Sequence, residues 1–582
     1  MDPVAARRDG TVVRVSGPLV EIEGVEGLSM LELVTLGPQR ITAETVAIAG
    51  SKATLQAYEY TGGLKAGDVA SATEDELSAL MGPGLLGQVF DGLMRPLSSA
   101  PMWLTPERSG SADDPTVLAR EWTFVPAAVC GKNVSPGEVL GTVPGAGSVE
   151  HRVLVPAGVS GEITWLAPEG KVHVLDPVAV VAGRKVALAE PTPIRQARPF
   201  LARHSDAVPL HTGQRVLDLV FPVARGAAAT VPGGFGTGKT MMLQQIAKWS
   251  DADVIVYVGC GERGNEMADV LAGLSQLEDA RTGGKLIERT VIIANTSNMP
   301  MMAREASIFT GIAVAEYYRD MGYDVVVIAD STSRWAEALR EFANRNGDLP
   351  AEEGYPANLA SELASFYERA GRVTTLGGNT ASVTVIGAVS PAGGDMSEPV
   401  TTDSQRFVRS LWMLDKDLAY SRHYPAVSWT GSFARDADEL GAWHAANGQP
   451  GWASRRARAV ALLAEADRLD ELAQIIGQAS LPGHEQVLLL GGRLLRDGVL
   501  MQNALSPNDG FCSAEKGAAL LDAVLDVVDT CQLLVERGVA AATIEAADFG
   551  PVLRAREDFG PSDDAAVRAR TATVLDVLEA LQ

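Results

Sequence analysis

Residues 233–240 read Gly-Gly-Phe-Gly-Thr-Gly-Lys-Thr, and Val325-Val326-Val327-Ile328-Ala329-Asp330 is an apolar strand ending in a carboxylate. Glycines let successive backbone N–H groups close on a phosphate without Cβ clashes. Lys239 brings a mobile positive charge to β and γ oxygens, and Thr240 offers a hydroxyl to a metal ion. Asp330 suits the same metal, directly or through water. The chemistry is that of a nucleoside triphosphate with magnesium, held by Gly233, Gly234, Phe235, Gly236, Thr237, Gly238, Lys239 and Thr240. A second cluster, Gly259-Cys260-Gly261-Glu262-Arg263-Gly264-Asn265-Glu266, follows another apolar run. A carboxylate beside a guanidinium in a glycine-rich turn suits a site that orients water and neutralises a γ-phosphate. The same pair also fits a surface turn, and Asp330 also fits a cap for a helix opening at Ser331-Thr332-Ser333.

These groups must be positioned by strand, loop and helix. Ala227–Val231 is a short apolar run ended by Pro232, and after the loop Leu243, Ile246 and Ala247 share one helical face. A helix N-terminus there adds free N–H groups and a partial positive charge to the phosphate site. Further buried-type strands read at Val254–Val258, Val291–Ala294 and Val383–Val389, spaced widely enough for crossover helices. A mostly parallel sheet covered on both faces follows, with ligands beyond the carboxyl ends of its strands.

Several longer runs carry a resemblance. Gly213 through Phe221-Pro222-Val223, the phosphate loop, Gly261–Glu266, Asn295-Thr296-Ser297-Asn298-Met299-Pro300, Ala329 through Glu341, Glu352-Glu353-Gly354-Tyr355-Pro356 and Gly393-Gly394-Asp395-Met396-Ser397-Glu398-Pro399 resemble the catalytic A subunit of V/A-type rotary ATPases. The resemblance implies a multidomain α/β protein: an N-terminal β-barrel (1–72), a RecA-like P-loop nucleotide-binding domain (73–110 and 193–435), a β-rich bulge insertion (111–192) and a C-terminal helical bundle (436–582). It implies that Glu262 polarises the attacking water, that Arg263 and Lys239 bind the γ-phosphate, and that Thr240 and Asp330 serve magnesium. It also implies ATP and ADP as ligands, and an alternating A3B3 ring in which a B-type subunit supplies a trans arginine. Central-shaft and peripheral-stalk subunits are the other partners, and membrane contact runs only through an ion-translocating sector, on the cytoplasmic face. In that family the barrel forms a collar, the C-terminal domain moves against the shaft, and Gly393–Pro399 resembles a rotor-facing loop, although a plain turn also explains its glycines.

The chain departs from the family pattern at three places. Pro or Ala commonly precedes the loop phenylalanine, where this chain has Gly234, which should make the loop more flexible. Eukaryotic members carry a loop cysteine where Thr237 stands, so no disulfide switch is expected. An adenine-stacking aromatic usually follows an Asn-Ala pair, but Asn503-Ala504 is followed by Leu505, which lacks a π system. Phe235 is the nearest remaining aromatic candidate.

The rest of the chain fits this organisation. Val13 and Val15, then Val20 and Ile22, alternate with polar neighbours around Gly17-Pro18, the pattern of half-buried strands joined by a tight turn. Arg152–Val155 and Lys171–Val174 read as short strands, and Lys171 lies in no cofactor-attachment motif. Leu462, Leu469, Leu472 and Ile476 predict one helical face, as do Leu521, Val524, Leu525 and Val528, and Val567, Val574 and Leu578. A net charge of −24 disfavours a nucleic-acid groove. The four cysteines show no metal-ligand spacing and are expected to be buried or inert, and the seven histidines are scattered. No targeting or membrane-spanning segment reads from the sequence. The reading is an ATPase that couples turnover to rotation and to proton or sodium translocation. A homohexameric type III secretion-like ATPase is one alternative, disfavoured by the 111–192 insertion. A non-catalytic nucleotide-binding structural component is another, disfavoured by the intact phosphate loop and Glu262.

Overall fold

The computed structural model describes residues 8–97, 120–279 and 283–581. The sequence boundaries at 110 and 111 lie outside the described residues, as do the N-terminal seven. The chain forms two bodies, each discontinuous in sequence.

The first body comprises Met1–His204, Ala252–Ser390 and Ser397–Phe407. It begins with a closed barrel of β1 (Asp9–Ser16), β2 (Leu19–Glu23), β3 (Glu32–Leu36), β4 (Ile41–Ala49), β5 (Lys52–Ala57) and β6 (Val69–Glu76), ordered β1-β2-β5-β4-β3-β6. Val12, Val20, Ile22, Val34 and Leu55 fill it. The predicted Val13/Val15 alternation is corrected at its first member. The β1–β2 register shifts between Val12 and Arg14, so Val12 enters the core and Val13 sits on the bulge, which reverses the parity of the strand before it.

Two four-stranded antiparallel sheets follow between Glu121 and Ala187, packed around Phe124, Leu140, Ile163 and Val178. The strands expected near Arg152 and Lys171 run over His151–Leu154 and Gly170–His173. Cys130 in this region is exposed, so burial holds for Cys260, Cys512 and Cys531 alone of the four. Its thiol reaches only the carbonyl of Ile163 at a turn.

The remainder of this body is a parallel sheet of β7 (Val254–Cys260), β8 (Thr290–Asn295), β9 (Asp324–Asp330) and β10 (Thr380–Val389), in spatial order β10-β9-β7-β8. Nearly every residue of these strands is buried, as expected where both faces are covered. The helix Met301–Asp320 packs on β7, β8 and β9. Its Glu305 and Glu316 meet Arg195 and Arg369 at 2.7 and 2.6 Å.

The second body comprises Ser205–Asp251, Pro391–Met396 and Val408–Gln582. Its strand Ala228–Pro232 runs parallel to Ser410–Leu411 and leads through the phosphate loop into the helix Lys239–Trp249. The C-terminal helices Trp452–Ile476, Gly483–Leu495, Ala514–Glu536 and Asp564–Glu579 pack on one another. The predicted apolar faces are buried except at Leu472, which is half-buried, and Ile476, which is 46 % exposed. That face ends at Leu472 and Ala473, which pack partly buried against Leu469, Leu481 and Leu489, one turn before Gly477 closes the helix.

Arg215, 1 % exposed, anchors this body. Its guanidinium donates to Asp509 Oδ1 at 2.6 Å and to the carbonyls of Val499 and Met501 at 2.5 and 2.7 Å. Asp509 also accepts from Arg556 at 2.7 Å. A buried ion pair is tolerable when its remaining hydrogen-bonding capacity is met in this way.

Candidate nucleotide site

In the second body the phosphate loop is built as its composition requires. Gly236 (φ +81°) and Gly238 (φ +85°) take the left-handed conformation, and Gly238 is the N-cap of Lys239–Trp249. Gly238 makes no side-chain cap hydrogen bond, and the N-terminus of a helix is the end that favours an anion. Thr237 is buried, with its hydroxyl on the carbonyl of Gly234 at 2.8 Å, and Lys239 Nζ donates to the carbonyl of Gly233 at 2.6 Å. Lys239 thus folds back over the loop, close to where a bound phosphate would sit. Thr240 opens the helix beside it. This cradle fits a polyphosphate on geometry alone.

Phe235 is 95 % exposed and Leu505 is 87 % exposed, so neither is part of the core and both are accessible to a ligand. The Leu505 loop is held by Asn503, whose backbone N–H donates to Asp509 at 2.7 Å, and by Gln502, which donates to the carbonyl of Gly213 at 2.9 Å. The structure adds Tyr424, which sequence reasoning missed. A Cβ on Gly238 would lie 3.1 Å from its ring, and its carbonyl accepts from Gln502 N–H at 2.8 Å. The only sequence signal was an aromatic directly before Pro425.

In the first body the ends of the strands are in register: Gly259 pairs Asp330, Asp330 pairs Ala388 and Cys260 pairs Asn295. Glu262 lies just beyond β7, and Arg263 is the exposed N-cap of the helix Gly264–Gln276. The Glu262–Arg263 surface pair does not form among the described residues; the neighbours that bear on Glu262 are Asp330, Glu266 and Arg334. Burial, then Asp330 and Glu266, push the Glu262 carboxyl up to about 7, against the opposing pull of Arg334. Arg334 itself pairs with Glu337 at 2.8 Å, and its Cβ packs so closely on Gly261 that a side chain there would meet it at 2.7 Å. Asp330 Oδ2 accepts from the buried Tyr257 hydroxyl at 3.1 Å. Burial and Asp330 together hold that phenol well above its ordinary range. The helix after Asp330 takes Ser331 as its N-cap.

Polar atoms at this edge fit a polar occupant: both side-chain atoms of the buried Asn295 and the Ser331 hydroxyl have no protein partner. Among the described residues no cluster of three His, Cys, Asp or Glu could hold a metal. A magnesium ion bound through one carboxylate, a hydroxyl, phosphate oxygens and water needs none. Arg334 and Tyr257 were not singled out from the sequence, because their part depends on strand register rather than on spacing.

Known proteins share both the domains and most of the length of the chain. The ATP synthase alpha/beta family nucleotide-binding domain matches residues 213–434, and the family's beta-barrel domain matches 12–74. Its barrel-sandwich domain matches 115–195, and the C-terminal domain of V and A type ATP synthase matches 441–542. The V-type ATP synthase alpha chain of Nitrosococcus oceani is 47 % identical over 91 % of this chain and 91 % of its own length. That of Anaeromyxobacter sp. is 47 % identical over 98 % of this chain and all of its own, and that of Anaeromyxobacter dehalogenans is 49 % identical over 89 % of this chain and 90 % of its own. Among solved structures, the assembled ATPase EscN of the enteropathogenic E. coli type III secretion system superposes with a TM-score of 0.65. It is 21 % identical and covers 89 % of this chain and 100 % of its own, a likeness of fold alone.

Proposed function

The chain belongs to the family of A-type and V-type ATP synthase alpha chains, and we propose the following division of labour among its residues. Lys239 and Arg263 bind the γ-phosphate, and Glu262 takes up the proton of the attacking water. Thr240 and Asp330 hold magnesium, while Leu505, Phe235 and Tyr424 flank the base. Magnesium, when bound, spreads the charge of the β and γ oxygens. The observation that carries the reading is the place of Glu262: it lies just beyond the end of β7, whose Gly259 is level with Asp330 on β9, and burial with Asp330 pushes its carboxyl up to about 7, the range that suits a general base for water near neutrality.

The protein is the catalytic, ATP-hydrolysing or ATP-synthesising component of an A/V-type ATP synthase. It binds ATP and ADP and works within a multisubunit complex. We infer an A3B3 ring in which B-type subunits alternate with this chain and supply a trans arginine, with shaft and stalk subunits around the ring. The inferred place is the cytoplasmic face of the membrane; among the described residues no helix is long and apolar enough to cross one. The domain divisions 1–72, 73–110 with 193–435, 111–192 and 436–582 complete the proposal. The V and A type C-terminal domain match supports this over the secretion-type alternative. Magnesium-ATP turnover of the chain alone and co-expressed with its B-type partner tests the shared site. Activity only in the mixed ring is expected; full activity as a homo-oligomer would overturn it.

A further inference from the structure

Gly236 and Gly238 need the left-handed region, but Gly234 does not. What glycine provides at 234 is lateral space: a Cβ there would lie 2.6 Å from Cε of Lys416 and 3.5 Å from its Nζ. The Lys416 stem fills that space, and its ammonium donates to the carbonyl of Gly393 at 3.1 Å while packing on Gly394. Backbone register delivers it there. Leu414 N–H donates to the carbonyl of Pro232 at 2.8 Å, and Leu414 forms a parallel bridge with Gly233. Asp415 then caps the short helix Lys416–Tyr420 by accepting from the N–H groups of Asp417 and Leu418, which fixes where the Lys416 stem departs.

We propose that Lys416 is a positioning residue for the phosphate loop, tying Gly234 to the Gly393–Gly394 turn, and that glycine at 234 leaves the room this stem occupies rather than serving a backbone conformation. The inference rests on reading 233–240 as the nucleotide's phosphate site. Glycine at 234 should by itself loosen the loop; the lysine stem laid across it restores order before nucleotide arrives.

The test uses the full chain titrated with magnesium ADP, and magnesium-ATP turnover in the ring assembled with its B-type partner. Lys416→Ala and Lys416→Met are each expected to weaken affinity about 3- to 10-fold, the loss of one charge-assisted contact at an exposed site. KM should rise with kcat nearly unchanged, and Lys416→Arg should restore most of the affinity. Gly234→Ala should weaken binding alone, since its Cβ displaces the lysine stem, but add nothing in the Lys416→Ala background. Multiplicative losses in the double variant, or unchanged affinity in Lys416→Ala, would overturn the tie while leaving the phosphate site standing. A parent chain that binds no magnesium nucleotide would overturn both.

Discussion

Glu262→Gln is the most incisive perturbation of the site, because it keeps shape and removes only the carboxylate. With the carboxyl at about 7, the ionised fraction rises from about one tenth at pH 6 to about nine tenths at pH 8. Removing a general base costs roughly 10²- to 10⁴-fold in turnover, so the glutamine variant should fall by that factor at pH 8 and by about tenfold less, relative to the parent, at pH 6. Binding of magnesium-ATP should persist or tighten, since a negative charge leaves the cluster of Glu262, Glu266 and Asp330. Stability follows from the same shift. Because the folded-state value lies above the unfolded one, ionising Glu262 costs stability above its unfolded pKa, and the full cost is reached above about pH 7. The variant should therefore be no less stable than the parent at pH 8. Phosphate release from the assembled ring, paired with fluorescent-nucleotide titration, reads both effects. Turnover within tenfold of the parent, with the pH limb intact, would remove Glu262 from the chemistry.

Arg334→Gln deletes the cation that opposes the rise in Glu262, so the ascending limb of the pH–kcat/KM profile should move to higher pH; an unmoved limb would show that Arg334 does not act on the base. Lys239→Ala removes a charge-assisted phosphate contact worth about 1.5–3 kcal/mol and should weaken ATP binding by roughly 10- to 150-fold in a direct titration. His211, 3.0 Å from Asp218, is pushed up to about 9 by that carboxylate despite its burial. Its contribution to stability is present below pH 6.5 and lost as pH rises through about 9. Denaturant midpoints of the second body should fall across that window, and His211→Gln should flatten the slope.

The phosphate loop and the parallel strands were legible because each rests on local sequence: glycine placement in one case, unbroken apolar runs in the other. The C-terminal helices were legible for the same reason, through their periodicity. What escaped depends on partners distant in the chain. A bulge at Val13 is set by pairing with β2, and the exposure of Ile476 by the reach of the cluster around Leu469, Leu481 and Leu489, which takes in Leu472 and Ala473 but not Ile476. Cys130 is exposed because of a turn that composition does not reveal. Glu262 was found from its position after an apolar run, yet its elevated carboxyl depends on Asp330 and Arg334, brought near by register. Tyr424 and Lys416 reach the loop through the single parallel bridge at Leu414 and the strand leading to it, for which sequence has no short-range sign.

The buried pair of Arg215 and Asp509 joins residues 294 positions apart. At a ribosomal pace of about 5–20 residues per second, the segment carrying the phosphate loop emerges roughly 15–60 s before the residues that neutralise its buried arginine. Until then that guanidinium must stay hydrated, so the loop's own body cannot close during most of synthesis. A nascent chain paused before residue 509 should remain open to proteases around 205–251 even where the barrel has already become resistant.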